Sequence, residues 1–178
     1  MTESMVKSQS HHANTELVQE LTENTVTGGV AMINHALAEM WQETDDILMH
    51  DWYLALLASA FGNLVFIDQP GELYRQHSDN VLGARTLSKR FKKWIRPHIL
   101  FAVYWDLIKN SQKQASHLLQ MPLSQSNREL IEAFVTIMDK SMLGRFRILR
   151  KYGLRKNKAF HTLVFTTLIV TKFAYKKE

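Results

Sequence analysis

The sequence predicts an α/β region followed by an all-α region, and three observations carry that expectation. Short β-branched or apolar runs at residues 25–27, 30–33, 63–68 and 72–76 are bounded by Gly, Pro and polar residues, as strands are. Runs of good helix formers lie between them. From residue 85 onward the apolar residues fall mostly at helical spacing among Lys and Arg. The expected organisation is a tail and short helix over 1–23, a mixed region over 24–84 and a basic helical region over 85–178.

The elements follow in order. Residues 1–13 are polar and include His11 and His12, which reads as a frayed terminus. Asn14 is a plausible cap for a short helix over 14–23, with Leu17, Val18 and Leu21 on one face. Residues 25–27 favour extended structure, Gly28 and Gly29 permit close backbone approach, and 30–33 is again strand-like. Asn34 caps a helix over 36–41. Residues 42–48 form an acidic loop, where Asp45 and Asp46 read as loop or cap residues rather than a metal site. Asp51 starts a helix running to Phe61, apolar on most sides and therefore buried, with Gly62 closing it.

Strands over 63–68 and 72–76 follow, joined by the Pro70-Gly71 turn. The segment 87–109 is helical with Pro97 as a break or kink. Residues 125–152 read as one long helix carrying Leu130, Phe134, Ile137, Met138, Met142 and Phe146 as its apolar stripe, and Gly153 ends it. The last helix spans 158–175. Its apolar run is too short and interrupted for a confident membrane span, and it suits either a core position or a bilayer interface.

The 178 residues, 46% hydrophobic, suffice for one globular domain. The absence of Cys excludes disulfides and thiolate metal sites. No basic start precedes an apolar run, so no secretory signal is expected and the default location is cytosolic. Charge is divided unevenly. Residues 1–83 hold two Lys/Arg against twelve Asp/Glu, and 84–178 hold twenty against five. The basic half is either a solvated helical face or the docking side for an anionic partner.

Two groups could carry chemistry. Asp51, at the start of a buried helix, meets free N–H groups that favour a charged carboxylate. It reads as a general base or as an ordinary helix cap. His50 beside it orients a substrate or is merely exposed. Arg75 is the only Lys or Arg between Lys7 and Arg85, so it pairs with a local carboxylate or receives an anion such as phosphate. His77 reads as a metal ligand, a pyrophosphate contact or a surface residue. Phosphate-loop, Gly-x-Ser-x-Gly and His-Glu-x-x-His patterns are all absent.

Three ordered motifs carry a resemblance: N-T-V-T-G-G-V-A-M-I-N-H-A-L at 24–37, M-H-D-W-Y-L-A-L-L-A-S-A-F-G at 49–62, and L-Y-R-Q-H-S-D-N-V-L-G-A at 73–84. Together they resemble the second half of family 2 glycosyltransferases, in their bacterial rhamnosyltransferase-like branch. The resemblance covers roughly residues 16–85. It implies a partial GT-A sheet, Rossmann-like, ahead of the helical tail. It also implies transfer of a sugar, such as rhamnose, from a nucleotide-sugar donor to a lipid-linked saccharide acceptor in surface polysaccharide assembly. A divalent metal, Mg or Mn, would assist the leaving diphosphate.

By position, the resemblance makes Asp51 the catalytic base. Gly28, Gly29, His50, Trp52 and Arg75 would bind substrate, and His77 would lie at the metal. The matching motifs begin after the family's nucleotide-binding half, so the expectation is an acceptor-side portion. The alternative is a non-catalytic remnant or binding module. The expected location is the cytoplasm or the cytoplasmic face of the inner membrane, reached through the basic helices. Nucleic acid is not an expected partner, because no recognition motif occurs and the first half is acidic.

Overall fold

The computed structural model describes residues 14–41, 47–69 and 97–175, with side chains described from residue 101 onward in the last stretch. Among these residues seven α-helices occur: α1 (Leu17–Glu20), α2 (His35–Glu39), α3 (His50–Phe61), α4 (Pro97–Leu118), α5 (Gln125–Val135), α6 (Met142–Tyr152) and α7 (Ala159–Thr171). Short 3₁₀ turns occupy Gly28–Val30 and Ile137–Asp139.

The expected α/β class is therefore corrected. The described residues are all-α, with no strand and no Rossmann-like sheet. Residues 25–27 have extended backbone, as Thr27 shows (φ −118°, ψ 122°), but no neighbouring strand pairs with them. The 30–33 run begins inside the first 3₁₀ turn. Residues 63–68 take no regular form, and Val65, Phe66 and Ile67 are exposed. β-branched composition prepares a segment for a sheet, but only a paired ladder satisfies its N–H and C=O groups. The strand expected over 72–76 lies outside the described residues.

Two helical expectations also change. The helix over 125–152 is broken. α5 ends at Val135, the 3₁₀ turn intervenes, and Ser141 starts α6 by accepting a hydrogen bond from Gly144 N at 3.2 Å. The break turns the apolar stripe. Phe134, Ile137 and Met138 are buried, whereas Met142 and Phe146 face out and Leu149 points in. Pro97 is the first described residue of α4, which continues past the expected end to Leu118, and residues 87–96 lie outside the described residues. Asn34 caps α2 as expected, accepting from Leu37 N at 2.9 Å. Asn14 caps nothing, and instead its Nδ2 donates to Glu23 O at 2.5 Å across a loop.

α3 lies at the centre of the N-terminal half. Trp52, Tyr53, Leu56 and Leu57 are buried against α1, α2 and α4. Each such side chain is worth about 1.5–3 kcal/mol when fully buried. Polar side chains then fix α3 and its neighbours in place. Trp52 Nε1 donates to Glu20 O at 2.7 Å, Ser111 Oγ to Leu21 O at 2.6 Å, and Asn127 Nδ2 to Ala60 O at 2.8 Å. In the C-terminal half, α6 and α7 pack as an antiparallel hairpin. The loop joining them reaches back to α1. Thr22 Oγ1 donates to Arg155 O at 2.6 Å and Asn157 N donates to Glu23 Oε2 at 2.9 Å.

Candidate functional site

The first turn of α3 and the Gly28–Val30 turn meet. Met49 is the N-cap of α3 but contributes no side-chain bond, so the free N–H groups of the first turn need acceptors from elsewhere. Asp51 supplies one: its Oδ1 accepts from Trp52 N at 2.7 Å. The same oxygen accepts from Asn24 Nδ2 at 3.4 Å, and Oδ2 accepts from Gly28 N at 3.3 Å. The carboxylate thus joins two sequence motifs that stand more than twenty residues apart. An ionised carboxylate offers about four acceptor positions, so one remains for a further donor. The residue is only 9% exposed.

Gly28 leaves room at this junction for the His50 ring. A Cβ there would stand 2.8 Å from His50 Nε2 and 3.6 Å from Asp51 Cβ. The imidazole of His50 therefore lies directly over the glycine. His50 also lines an open, mostly apolar cleft of about 360 Å³ with Ile33, Ala38, Trp41 and Leu54. Trp41, 36% exposed, sets its ring edge-on to buried Tyr53 at 5.6 Å. A cleft with an indole wall, an imidazole and a carboxylate behind it can hold a ring that has one apolar face and hydroxyls at its edge.

The residues read from sequence are distributed unevenly around this cleft. Gly28, His50 and Asp51 come together. Gly29 is the exposed second residue of the turn. Trp52 lies in the core with its N–H bonded to the α1 backbone, so its place is structural rather than on the cleft. Arg75 and His77 lie outside the described residues. Trp41 and Asn24 were not singled out by sequence reasoning. The signal for Asn24 was its position at the head of the Gly-Gly motif. For Trp41 it was a large aromatic next to an acidic loop.

Among the described residues no group of three His, Asp or Glu could hold a metal ion. The Asp51 oxygens face N–H donors, as a charged carboxylate does. His77, the residue that the resemblance sets at the metal, lies outside the described residues.

Two further ionisable groups are buried next to the site's supports. Glu20 is fully buried in α1, and desolvation raises its carboxyl from 4.5 to about 8, opposed by hydrogen bonding from Asn14 and Thr25. Lys156 is half-buried as a residue, but its ammonium end bonds Thr22 O and lies 5.6 Å over the Phe165 ring. Burial lowers it from 10.5 to about 8, opposed by the Glu23 carboxylate.

No family model matches the sequence, and no curated protein or solved structure matches it. The likeness to family 2 glycosyltransferases stands on its three motifs alone.

Proposed function

We propose that this chain is the acceptor-side portion of a glycosyltransferase, moving a sugar such as rhamnose from a nucleotide-sugar donor to a saccharide acceptor in surface polysaccharide assembly. One observation carries the reading. The Gly28 and His50-Asp51 motifs, distant in sequence, close on each other at the edge of a cleft with an aromatic wall. In this reading Trp41 holds the apolar face of an acceptor sugar and His50 orients its hydroxyl. Asp51 takes the hydroxyl proton as the oxygen attacks the anomeric carbon, and the nucleoside diphosphate departs with the bonding electrons. No step is routed through a metal, and no sheet is invoked.

A second reading, a saccharide-binding module without turnover, is favoured by the low exposure of Asp51 and its three donors. Two measurements separate them. Calorimetric titration with a rhamnose-containing oligosaccharide should show binding that Trp41→Ala weakens about tenfold or more. A transfer assay with dTDP-rhamnose and that acceptor, on the chain joined to a nucleotide-binding half of the family, should lose about 10²–10⁴-fold of its rate in Asp51→Asn. Saccharide binding with no transfer supports the module. Transfer at full rate in Asp51→Asn removes the base, and no saccharide binding at all removes both readings.

A further inference from the structure

The α6–α7 hairpin combines two features that seldom coincide on a solvated surface. From Lys140 to Tyr175 the sequence contains nine Lys or Arg and no Asp or Glu. Within that stretch α7 has eight apolar residues of thirteen, interrupted by His161 and four Thr, and they fall on more than one face. α7 is not enclosed among the described residues. Phe165, Leu168 and Ile169 face the core, while Phe160 and Leu163 are 56% and 65% exposed. α6 repeats the pattern. Arg145 and Leu149 point inward, and Leu143 (66% exposed) and Phe146 point outward beside exposed Arg147 and Arg150. Leu143, Phe146, Arg147 and Arg150 follow one another at helical spacing on one face, as Phe160 and Leu163 do on α7.

No described helix is long and apolar enough to cross a membrane. The thirteen residues of α7 reach only about 20 Å, short of a hydrocarbon core of about 30 Å. Large aliphatic and aromatic side chains rimmed by guanidinium and ammonium groups are instead the chemistry of a helix lying in a bilayer interface. Nucleic acid shares the charge requirement, but exposed Leu143 and Leu163 have nothing to offer a phosphate or a base edge.

We propose that the outward face of α6 and α7 docks on an anionic lipid bilayer, with Leu143, Phe146 and Leu163 entering the headgroup boundary and Arg147 and Arg150 at the phosphates. This surface is independent of the sugar-transfer reading, because no residue of the Asp51 cleft belongs to it.

Vesicle co-sedimentation of the full chain tests the proposal, comparing pure phosphatidylcholine with vesicles that include phosphatidylglycerol. Binding should rise about tenfold or more with the anionic lipid and fall on adding salt. Leu163→Asp and Phe146→Asp together should lower it about tenfold, with circular dichroism checking that the helices remain. Should that variant fail to fold, the milder Arg147→Gln with Arg150→Gln should weaken binding about tenfold. Trp introduced by Leu163→Trp should be quenched by brominated lipid, and Trp introduced at exposed Gln120 should not. Binding that ignores lipid charge, or no quenching at position 163, overturns the proposal. So does DNA or RNA binding that survives Leu163→Asp, or a second copy covering the face in sedimentation velocity.

Discussion

Residues 14–61 and residues 125–175 are built on opposite principles. The first region has helices of four, five and twelve residues, two of them too short to persist alone. The caps of α1 and α3 use no side-chain bond. Its order comes from long-range polar contacts, such as Trp52 to Glu20 and Thr22 to Arg155, and from the burial of α3. In the second region, Ser124 and Ser141 cap their own helices, and Gly153 closes α6 with φ 68°. The candidate site sits on the region whose order draws on contacts distant in sequence. Its geometry is therefore a property of the whole fold, and the basic hairpin is both its support and a separate surface.

The largest effect expected from breaking this arrangement is at Arg145. Its guanidinium is buried and binds three times to carbonyls. Nε and Nη2 reach Val170 O at 3.1 and 2.6 Å, and Nη1 reaches Lys140 O at 2.5 Å. These bonds tie the start of α6 to the end of α7. Arg145→Ala leaves two part-buried carbonyls without these donors and opens space where a buried guanidinium stood, at a cost of about 3 kcal/mol. Urea denaturation followed by circular dichroism checks this. Because α1 is bolted to the α6–α7 loop, Trp fluorescence, to which buried Trp52 contributes, should report the same midpoint shift. Separate transitions would show that the two regions fold independently.

How much of this was legible in the sequence divides along the same line. α3 was legible because its apolar residues cover most of its circumference and Gly62 follows it. The meeting of Gly28 with His50-Asp51 was foreshadowed only by motif resemblance, since nothing in local spacing brings those positions together. The break at Ser141 was missed, although the Ser-x-x pattern of a cap was present. The stripe Phe134-Ile137-Met138-Met142 continues across it as though one helix ran through. The expected sheet failed for a different reason. Val, Ile and Thr describe a preference for extended backbone, whereas a sheet needs a second segment in register, and composition does not specify that partner. Trp41 escaped because an exposed aromatic gains its meaning only once a cleft forms beside it.

A smaller effect concerns pH and sharpens the contrast between the two regions where they touch. Glu20 gains a higher pKa on folding, so its contribution to stability is complete below pH 4.5 and is lost as pH rises to about 8. Lys156 has its pKa lowered, so its contribution is present above 10.5 and is lost as pH falls to about 8. Together they place a stability minimum near pH 8. Glu20→Gln keeps the shape and removes the ionisation, and should stabilise the fold by about 2 kcal/mol at that minimum. Lys156→Met should abolish the rise above pH 8 and leave the acidic limb intact. Melting temperatures measured from pH 4 to 10 check both. A wild-type curve that rises between pH 5 and 8 would show that other groups dominate this junction.

The smallest expected change in stability is at Gly28, and there the site and the fold can be told apart. The added methyl of Gly28→Ala would stand 2.8 Å from His50 Nε2, the far end of a side chain that can swing away, and an ordinary 3.6 Å from Asp51 Cβ. The backbone at this turn needs no positive φ, since Gly153 is the described glycine that has one. Stability should therefore change by no more than about 0.5 kcal/mol. His50, however, must leave its place over the turn, where it joins the carboxylate to the cleft. If the Gly28–His50–Asp51 junction is the working centre, saccharide affinity in Gly28→Ala should fall about tenfold while the denaturation midpoint stays put. A large loss of stability with unchanged affinity would make the junction a structural clasp. His50→Ala in the Gly28→Ala background decides the origin of the effect. If the methyl acts only by displacing the imidazole, the double variant binds no worse than His50→Ala alone.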